Sequence, residues 1–296
     1  LTEVVVDVAQ EECLRDLVAA HGEPRMEDGR PSALSVVALG KCGGREMGFA
    51  SDVELMFVFE ANGVTAGPNV ITTAEFYEKL VTAFLETIRA RRAGIFEIDL
   101  RLRPFGTAGS LAVPLEGFQR YFGPEGHAWP YERQALIKLR PIAGDPALGA
   151  RLAALRDAYV FTGRFDATAM RAMRERQVRH LVSGGTFNAK FSPGGLVDCE
   201  YLVQGLQITH GREDADLRVT NTHDAIQALT TAGVLSPAGR ERLTEAYAFL
   251  RRLIDALRMV RGNAKDLTVP AADSEEFAFL ARRLSYGSDL ARLRRD

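Results

Sequence analysis

Two carboxylates separated by one residue, Asp52 and Glu54, stand at the head of an apolar run that continues from Leu55 to Phe59. In an extended strand alternate side chains share a face, so both acids point the same way. A pair of this kind repels itself and invites a divalent cation. Upstream, a second apolar run, Leu34 to Leu39, enters a turn holding Gly40, Gly43 and Gly44. Glycines let backbone N–H groups approach a phosphate closely. Acids on a strand behind a glycine-rich turn are the parts of a site that handles a nucleoside triphosphate with Mg²⁺. A bare Asp-x-Glu is equally the solvated end of a hairpin, so the length of the surrounding pattern decides between the two.

The elements that must position these residues follow from periodicity. Thr72 with Glu75 makes a capping box ahead of Phe76, Leu80, Phe84 and Ile88 at helical spacing, and Gly94 is expected to end that helix. Ile95 to Pro104, IFEIDLRLRP, alternates strictly, with Ile98, Leu100 and Leu102 on one side and Glu97, Asp99, Arg101 and Arg103 on the other. WPYERQALIKLR, Trp129 to Arg140, reads as a helix broken by Pro141, with Trp129, Arg133, Leu136 and Arg140 on one face. From about Asp145 the pattern is almost wholly helical, over 166–183, 194–210, 221–232 and 274–285. Ser236-Pro237 caps a helix whose apolar stripe is Leu243, Tyr247, Leu250, Ile254 and Leu257, closed by Gly262. The expectation is an α+β fold: a mixed-sheet catalytic domain over 1–145, then an all-α helical bundle over 146–296.

Composition narrows the function. With 296 residues and a net charge of −2, the chain has no general basic field for nucleic acid. No apolar run approaches the ~20 residues that span a membrane, and no signal peptide opens the sequence. Three dispersed cysteines (Cys13, Cys42, Cys199) form no C-x-x-C, which fits a reducing cytoplasm. Five histidines show no metal-ligand spacing. The start at Leu1 and the charged end, Arg292 to Asp296, are expected of a piece of a longer polypeptide.

The full stretch Ala38 to Phe59, ALGKCGGREMGFASDVELMFVF, resembles the signature of the polymerase-beta-like nucleotidyltransferase superfamily. More specifically it is similar to the glutamine-synthetase adenylyltransferase family, in which G-K-x-G-G-R-E-x-x-x-x-S-D-x-D-L is typical. The resemblance runs from about Ser35 to Tyr286. Asp99-Leu100-Arg101-Leu102-Arg103-Pro104 matches a further block of that family. Carried over, Asp52, Glu54 and Asp99 become a triad holding two Mg²⁺ ions against the phosphates of ATP. Gly43, Gly44, Arg45 and Ser51 fall in the nucleotide-binding part of the motif, and Arg101 and Arg103 neutralise phosphate, unless one of them pairs with Glu97 instead. Lys138 and Arg140 are expected phosphate or substrate contacts, and Lys190, ahead of Gly194-Gly195, is expected to reach the nucleotide. Asp198 and Glu200 read as a helix start rather than as a second metal pair. The departures are Glu54 for the commoner Asp, Phe49-Ala50 before Ser51, Pro130-Tyr131 after Trp129, and Cys199 for an aliphatic residue.

The resemblance implies an adenylyltransferase that moves AMP from ATP to a tyrosine of glutamine synthetase. Family members carry two tandem units, and the second removes the AMP by phosphorolysis, giving ADP. Asp198 in GGLVDCE favours the adenylylating unit; the removing unit is the alternative. The rival reading is a non-catalytic module that senses nucleotide or PII signalling protein, with PII contacts expected through regions outside this chain. Neither a nucleic-acid nor a membrane partner is expected.

Overall fold

The computed structural model describes residues 1–88, 97–262 and 264–296. The helix end expected at Gly94 and the strand start expected at Ile95 lie outside the described residues. Two compact units divide the chain: Leu1–Glu46 with Asp52–Thr162, and Met47–Ser51 with Gly163–Asp296.

The first unit opens with α1 (Thr2–His21), which the sequence reading did not anticipate, followed by β1 (Pro24–Met26), β2 (Leu34–Ala38), the single turn α2 (Gly40–Gly43), β3 (Val53–Phe59) and β4 (Gly63–Thr65). Next come α3 (Thr73–Thr87), β5 (Ile98–Asp99), β6 (Ala112–Pro114), α4 (Leu115–Phe122), α5 (Pro130–Ala135), β7 (Arg140–Gly144) and α6 (Pro146–Val160). The main sheet runs β5-β3-β2-β7, with β6 also paired to β3. β2 is antiparallel to β3 and β7, whereas β5 and β6 run parallel to β3, so the sheet is mixed. All five residues of β2 are buried, and so are six of the seven in β3. A strand covered on both faces needs a continuous apolar run, which is why Leu34 to Leu39 and Leu55 to Phe59 carry no alternation. Phe57 meets Phe84 of α3 edge to face at 5.1 Å, and Phe59 stacks on Tyr77 at 5.0 Å. Thr72 caps α3 by accepting from the Glu75 N–H at 3.1 Å.

Two expectations are corrected here. Among the described residues the expected long strand is Ile98–Asp99 and does not run on to Pro104, because Arg101 folds back onto Asp99 and Phe105 turns left-handed at φ 62°. The helix from Trp129 stops at Ala135, passes through one 3-10 turn (Leu136–Lys138) and becomes β7. Pro141 therefore lies inside a strand rather than breaking a helix. β7 is an edge strand whose register slips opposite Val36/Val37, and an edge with an irregularity is where a sheet tolerates proline. Arg140 is accordingly not on a helix face with Trp129.

α6 packs on β7 and β2, and the first compact unit runs to Thr162. Gly149 allows a close approach: a Cβ there would lie 2.8 Å from Pro141 Cβ.

The second unit is built from α7 (Ala167–Leu181), α8 (Leu196–His210), α9 (Thr222–Thr231), α10 (Pro237–Arg261), α11 (Glu275–Arg283) and α12 (Leu290–Arg295). Ser236 caps α10 and Gly262 closes it in the left-handed region at φ 67°. Tyr247, Leu250, Ile254 and Leu257 are buried against Leu196, Leu267, Phe277 and Leu280. Leu243 instead joins a separate cluster around Val203, Ile226 and Leu229.

Candidate active site

β2 and β3 are joined by the glycine-rich turn, and the Leu39 N–H donates to the Glu54 carbonyl at 2.9 Å. Asp52 directly precedes β3. Val53 and Leu55 are 4% and 0% exposed, so the half-buried Asp52 and Glu54 take the opposite face. Glu54 Oε2 accepts from the Lys41 N–H at 3.2 Å. It can sit there only because residue 40 is glycine. A Cβ on Gly40 would fall 1.2 Å from that oxygen, and φ of +48° is left-handed besides.

Parallel pairing of β3 with β5 sets Glu54 beside Asp99 and Val53 beside Ile98. The Asp99 carboxylate is taken by Arg101 rather than left open. The Arg101 Nη2 lies 2.6 Å from Oδ2, its Nε 3.0 Å from both oxygens, and its backbone N–H 2.8 Å from Oδ1. Burial pushes the Asp99 carboxyl up, but the Arg101 bonds and charge outweigh it and hold the group below the usual carboxylate value. Arg101 is raised in turn, first by its bond to Asp99 and also by the fields of Asp52 and Glu54. One guanidinium thus stands where three carboxylate fields add. The pair is formed with Asp99, not with Glu97.

Among the described residues, no three His, Cys, Asp or Glu side chains are grouped to hold a metal ion. Asp99 is bonded to Arg101. The donor chemistry nevertheless fits a hard divalent cation: three carboxylates, all oxygen donors, beside an arginine side chain that is 74% exposed.

The other expected residues divide. Gly43 and Gly44 are spent on packing. A Cβ on Gly43 would lie 1.8 Å from the Lys138 carbonyl, and one on Gly44 would lie 3.0 Å from Lys138 Nζ. Lys138 Nζ itself lies 2.7 Å from Glu46 Oε1, with side chains 8% and 5% exposed. Its ammonium is committed to a buried ion pair, not held out toward a phosphate. Arg103 is also buried, and donates to the carbonyls of Leu100, Gly109 and Ser110. Arg45 is exposed and pairs with Glu3 at 3.3 Å. Arg140 joins Glu3 at 2.7 Å and also donates to the Gly43 and Cys42 carbonyls, so it ties down the end of α2. Ser51 and Lys190 belong to the second unit. Ser51 Oγ accepts from the Gly48 N–H at 3.0 Å, and Lys190 Nζ sits 5.0 Å from the Phe191 ring centre. Asp198 pairs with Arg174 at 2.6 Å and accepts from the Gly194 N–H at 2.7 Å, which holds the glycine turn before α8.

Glu46 and Arg133 were not singled out from the sequence. Glu46 was legible as the acid of the G-G-R-E string. Arg133 collects the carbonyls of Phe122, Gly123 and Gly126, all at 2.9 Å, a task that side-chain spacing does not announce.

The sequence model for glutamate-ammonia ligase adenylyltransferase matches residues 1–155, and that for GlnD PII-uridylyltransferase matches residues 168–295. Relatives named bifunctional glutamine synthetase adenylyltransferase/adenylyl-removing enzyme include proteins of Xanthomonas campestris pv. campestris (35% identical over 93% of this chain), Stenotrophomonas maltophilia (34% over 94%) and Aromatoleum aromaticum (33% over 97%). The chain spans about 30% of the length of each. Among the described residues no helix is long and apolar enough to cross a membrane.

Removing one partner of a buried ion pair strands the other charge. Lys138→Met is therefore expected to cost about 3–5 kcal/mol in a urea melt, with much of the loss recovered when Glu46→Gln is added. Equal destabilisation by the double variant would refute the pairing.

The Asp99–Arg101 pair predicts a pH signature. Because the folded value of Asp99 is lowered, its contribution is complete above the unfolded value of about 3.9 and is lost as the pH falls through the folded value. The stability gap between the parent and Asp99→Asn should be constant near neutrality and close on acidification. A gap that widens in acid would contradict the assignment.

Proposed function

The chain belongs to the glutamate-ammonia ligase adenylyltransferase family, and from that premise we propose that it transfers AMP from ATP to a tyrosine of glutamine synthetase. The observation that carries the reading is the alignment of Glu54, two residues after Asp52, with Asp99 across parallel strands. Asp52, Glu54 and Asp99 would hold Mg²⁺. Bound there, the ions would offset phosphate charge and make the acceptor hydroxyl easier to deprotonate. The protein's own part is to hold and to neutralise. Gly40 and the Lys41 N–H fix one Glu54 oxygen. Arg101, exposed and flanked by the acids, exchanges its carboxylate partner for the triphosphate, a ligand the guanidinium fork suits equally well. Arg45, also exposed, is a second candidate for phosphate contact.

Adenylylation is preferred over AMP removal because of Asp198. Its carboxylate is bound to Arg174 and to the Gly194 N–H, so the acidic residue that marks the adenylylating type in the sequence resemblance has a defined job in holding the loop after Lys190. The test is incubation with labelled ATP and unmodified glutamine synthetase, in parallel with AMP-modified enzyme and phosphate. Label on the unmodified enzyme is expected; ADP release alone would assign the removing activity. Oligonucleotide extension with neither reaction would defeat the acceptor assignment.

Asp52→Asn is expected to abolish AMP transfer while the fold persists. Loss of one anion weakens metal binding, yet it relieves repulsion with Glu54, so the melting temperature without metal should hold or rise. Activity within a few-fold of the parent would remove Asp52 from the metal site. Gly40→Ala should act on the same site by a different route, displacing Glu54 rather than deleting a charge.

A further inference from the structure

Arg258 on α10 is 5% exposed. Its Nη1 donates to the Phe49 carbonyl at 3.1 Å and to Ser51 Oγ at 3.3 Å. Both acceptors lie in Met47–Ser51, the short segment that belongs with the helical unit although the chain on either side of it belongs to the sheet unit. The segment is closed on itself as well. Ser51 N–H donates to the Gly48 carbonyl at 3.2 Å and Gly48 N–H donates to Ser51 Oγ at 3.0 Å. Ala50, fully buried, is held in the left-handed region at φ 52°, a conformation that costs an alanine about 1–2 kcal/mol and persists only where its surroundings impose it. At Gly48 a Cβ would lie 2.3 Å from an Asp255 oxygen, one turn before Arg258 on α10.

The residue after Ser51 is Asp52. We propose that Arg258 is a positioning residue for Asp52: by clasping Phe49 and Ser51 it fixes the backbone from which the first metal-ligating carboxylate projects. The proposal rests on the nucleotidyl-transfer reading of the site. A buried arginine is costly to desolvate and is kept only where its bonds are used. Here two of them end on the three residues that precede Asp52, although Arg258 lies more than two hundred positions away in sequence. Ser51 accordingly acts as the acceptor that passes the constraint to its neighbour, rather than as a direct contact to nucleotide.

The experiment uses the full 296-residue chain, with Mn²⁺ binding read by water-proton relaxation and hydrogen exchange followed over 47–51. Arg258→Met and Ser51→Ala should each speed exchange in that segment and weaken Mn²⁺ binding by about 10–100-fold, the usual effect of removing a residue that orients a metal ligand. Arg258→Lys, which keeps the charge and one bond, should lie between. If exchange speeds up while Mn²⁺ affinity stays within twofold, Arg258 is only structural and the inference fails. If exchange is unchanged, there is no clasp and it fails also. Should Arg258→Met not fold, Ser51→Ala decides alone by the same two readings. Asp52→Asn separates the two levels of the argument. Mn²⁺ bound by the parent, lost in Asp52→Asn and retained in the clasp variants overturns only the positioning role. A parent that binds no Mn²⁺ overturns the metal-site reading and the positioning role together.

Discussion

A side chain on residue 40 and the carboxylate of Glu54 cannot occupy the same space: a Cβ would come within 1.2 Å of Oε2. That exclusion governs the turn between β2 and β3. With glycine there, the chain can reverse through a left-handed residue, bring the Lys41 N–H onto Glu54, and still pair Leu39 with Glu54 along the backbone. The next constraint follows from the first. The turn is so tight that Gly43 runs against the Lys138 carbonyl, leaving no room for a methyl group there, and Gly44 lies close to the Glu46 and Lys138 side chains. Glycines that read as a phosphate cradle thus serve first to let two pieces of backbone and one buried ion pair approach each other.

Charge is managed around the same turn in pairs. Glu46 is answered by Lys138 within the buried interior, where an unpaired ion would cost several kcal/mol. Glu3 is answered by Arg140 and Arg45, and its carboxyl is lowered chiefly by the Arg140 bond. The carboxylates at 52, 54 and 99 share Arg101, mostly exposed and bound to Asp99. The buried pair is structural because neither partner can leave without stranding the other in low dielectric. Arg101 is 74% exposed, but its partner Asp99 is only 14% exposed, so this pair is intermediate between a surface pair and a buried one. Lys138 and Arg101 thus differ in burial: the Lys138 charge is enclosed, whereas the Arg101 side chain reaches solvent.

Local chemistry was legible in the sequence wherever one short pattern determined it. The caps at Thr72 and Ser236, the apolar strands β2 and β3, and the shared face of Asp52 and Glu54 all follow from neighbours within a few residues. The limits of β5 were not legible, because what stops that strand is Arg101 folding back and Arg103 gathering three carbonyls, and alternation of side chains is blind to both. Reading Pro141 as a helix breaker failed for a related reason: an edge strand with a slipped register offers proline a place that local sequence does not reveal. Lys138 and Arg258 are the clearest cases. Each is a basic residue whose partner lies far away in sequence, and nothing near either residue says whether its charge faces water or a buried acceptor.

Two independent divisions of the chain agree. The compact units part at Thr162 and Gly163, and the two family matches leave the gap between residues 155 and 168 around that point. All three candidate metal-ligating carboxylates lie in the first unit, inside the adenylyltransferase match. The second unit, which matches a different nucleotidyltransferase family, contributes to the catalytic motif only the five-residue segment before Asp52. Such an arrangement separates what must be constant from what can vary. On the proposed reading the carboxylates must be held in fixed positions, and a buried sheet supplies that rigidity. Arg258 holds Phe49 and Ser51 within the second unit, and Asp52 is the next residue along the chain. On the proposed reading, a change in the helices around Arg258 would therefore alter metal affinity before it altered the chemistry itself.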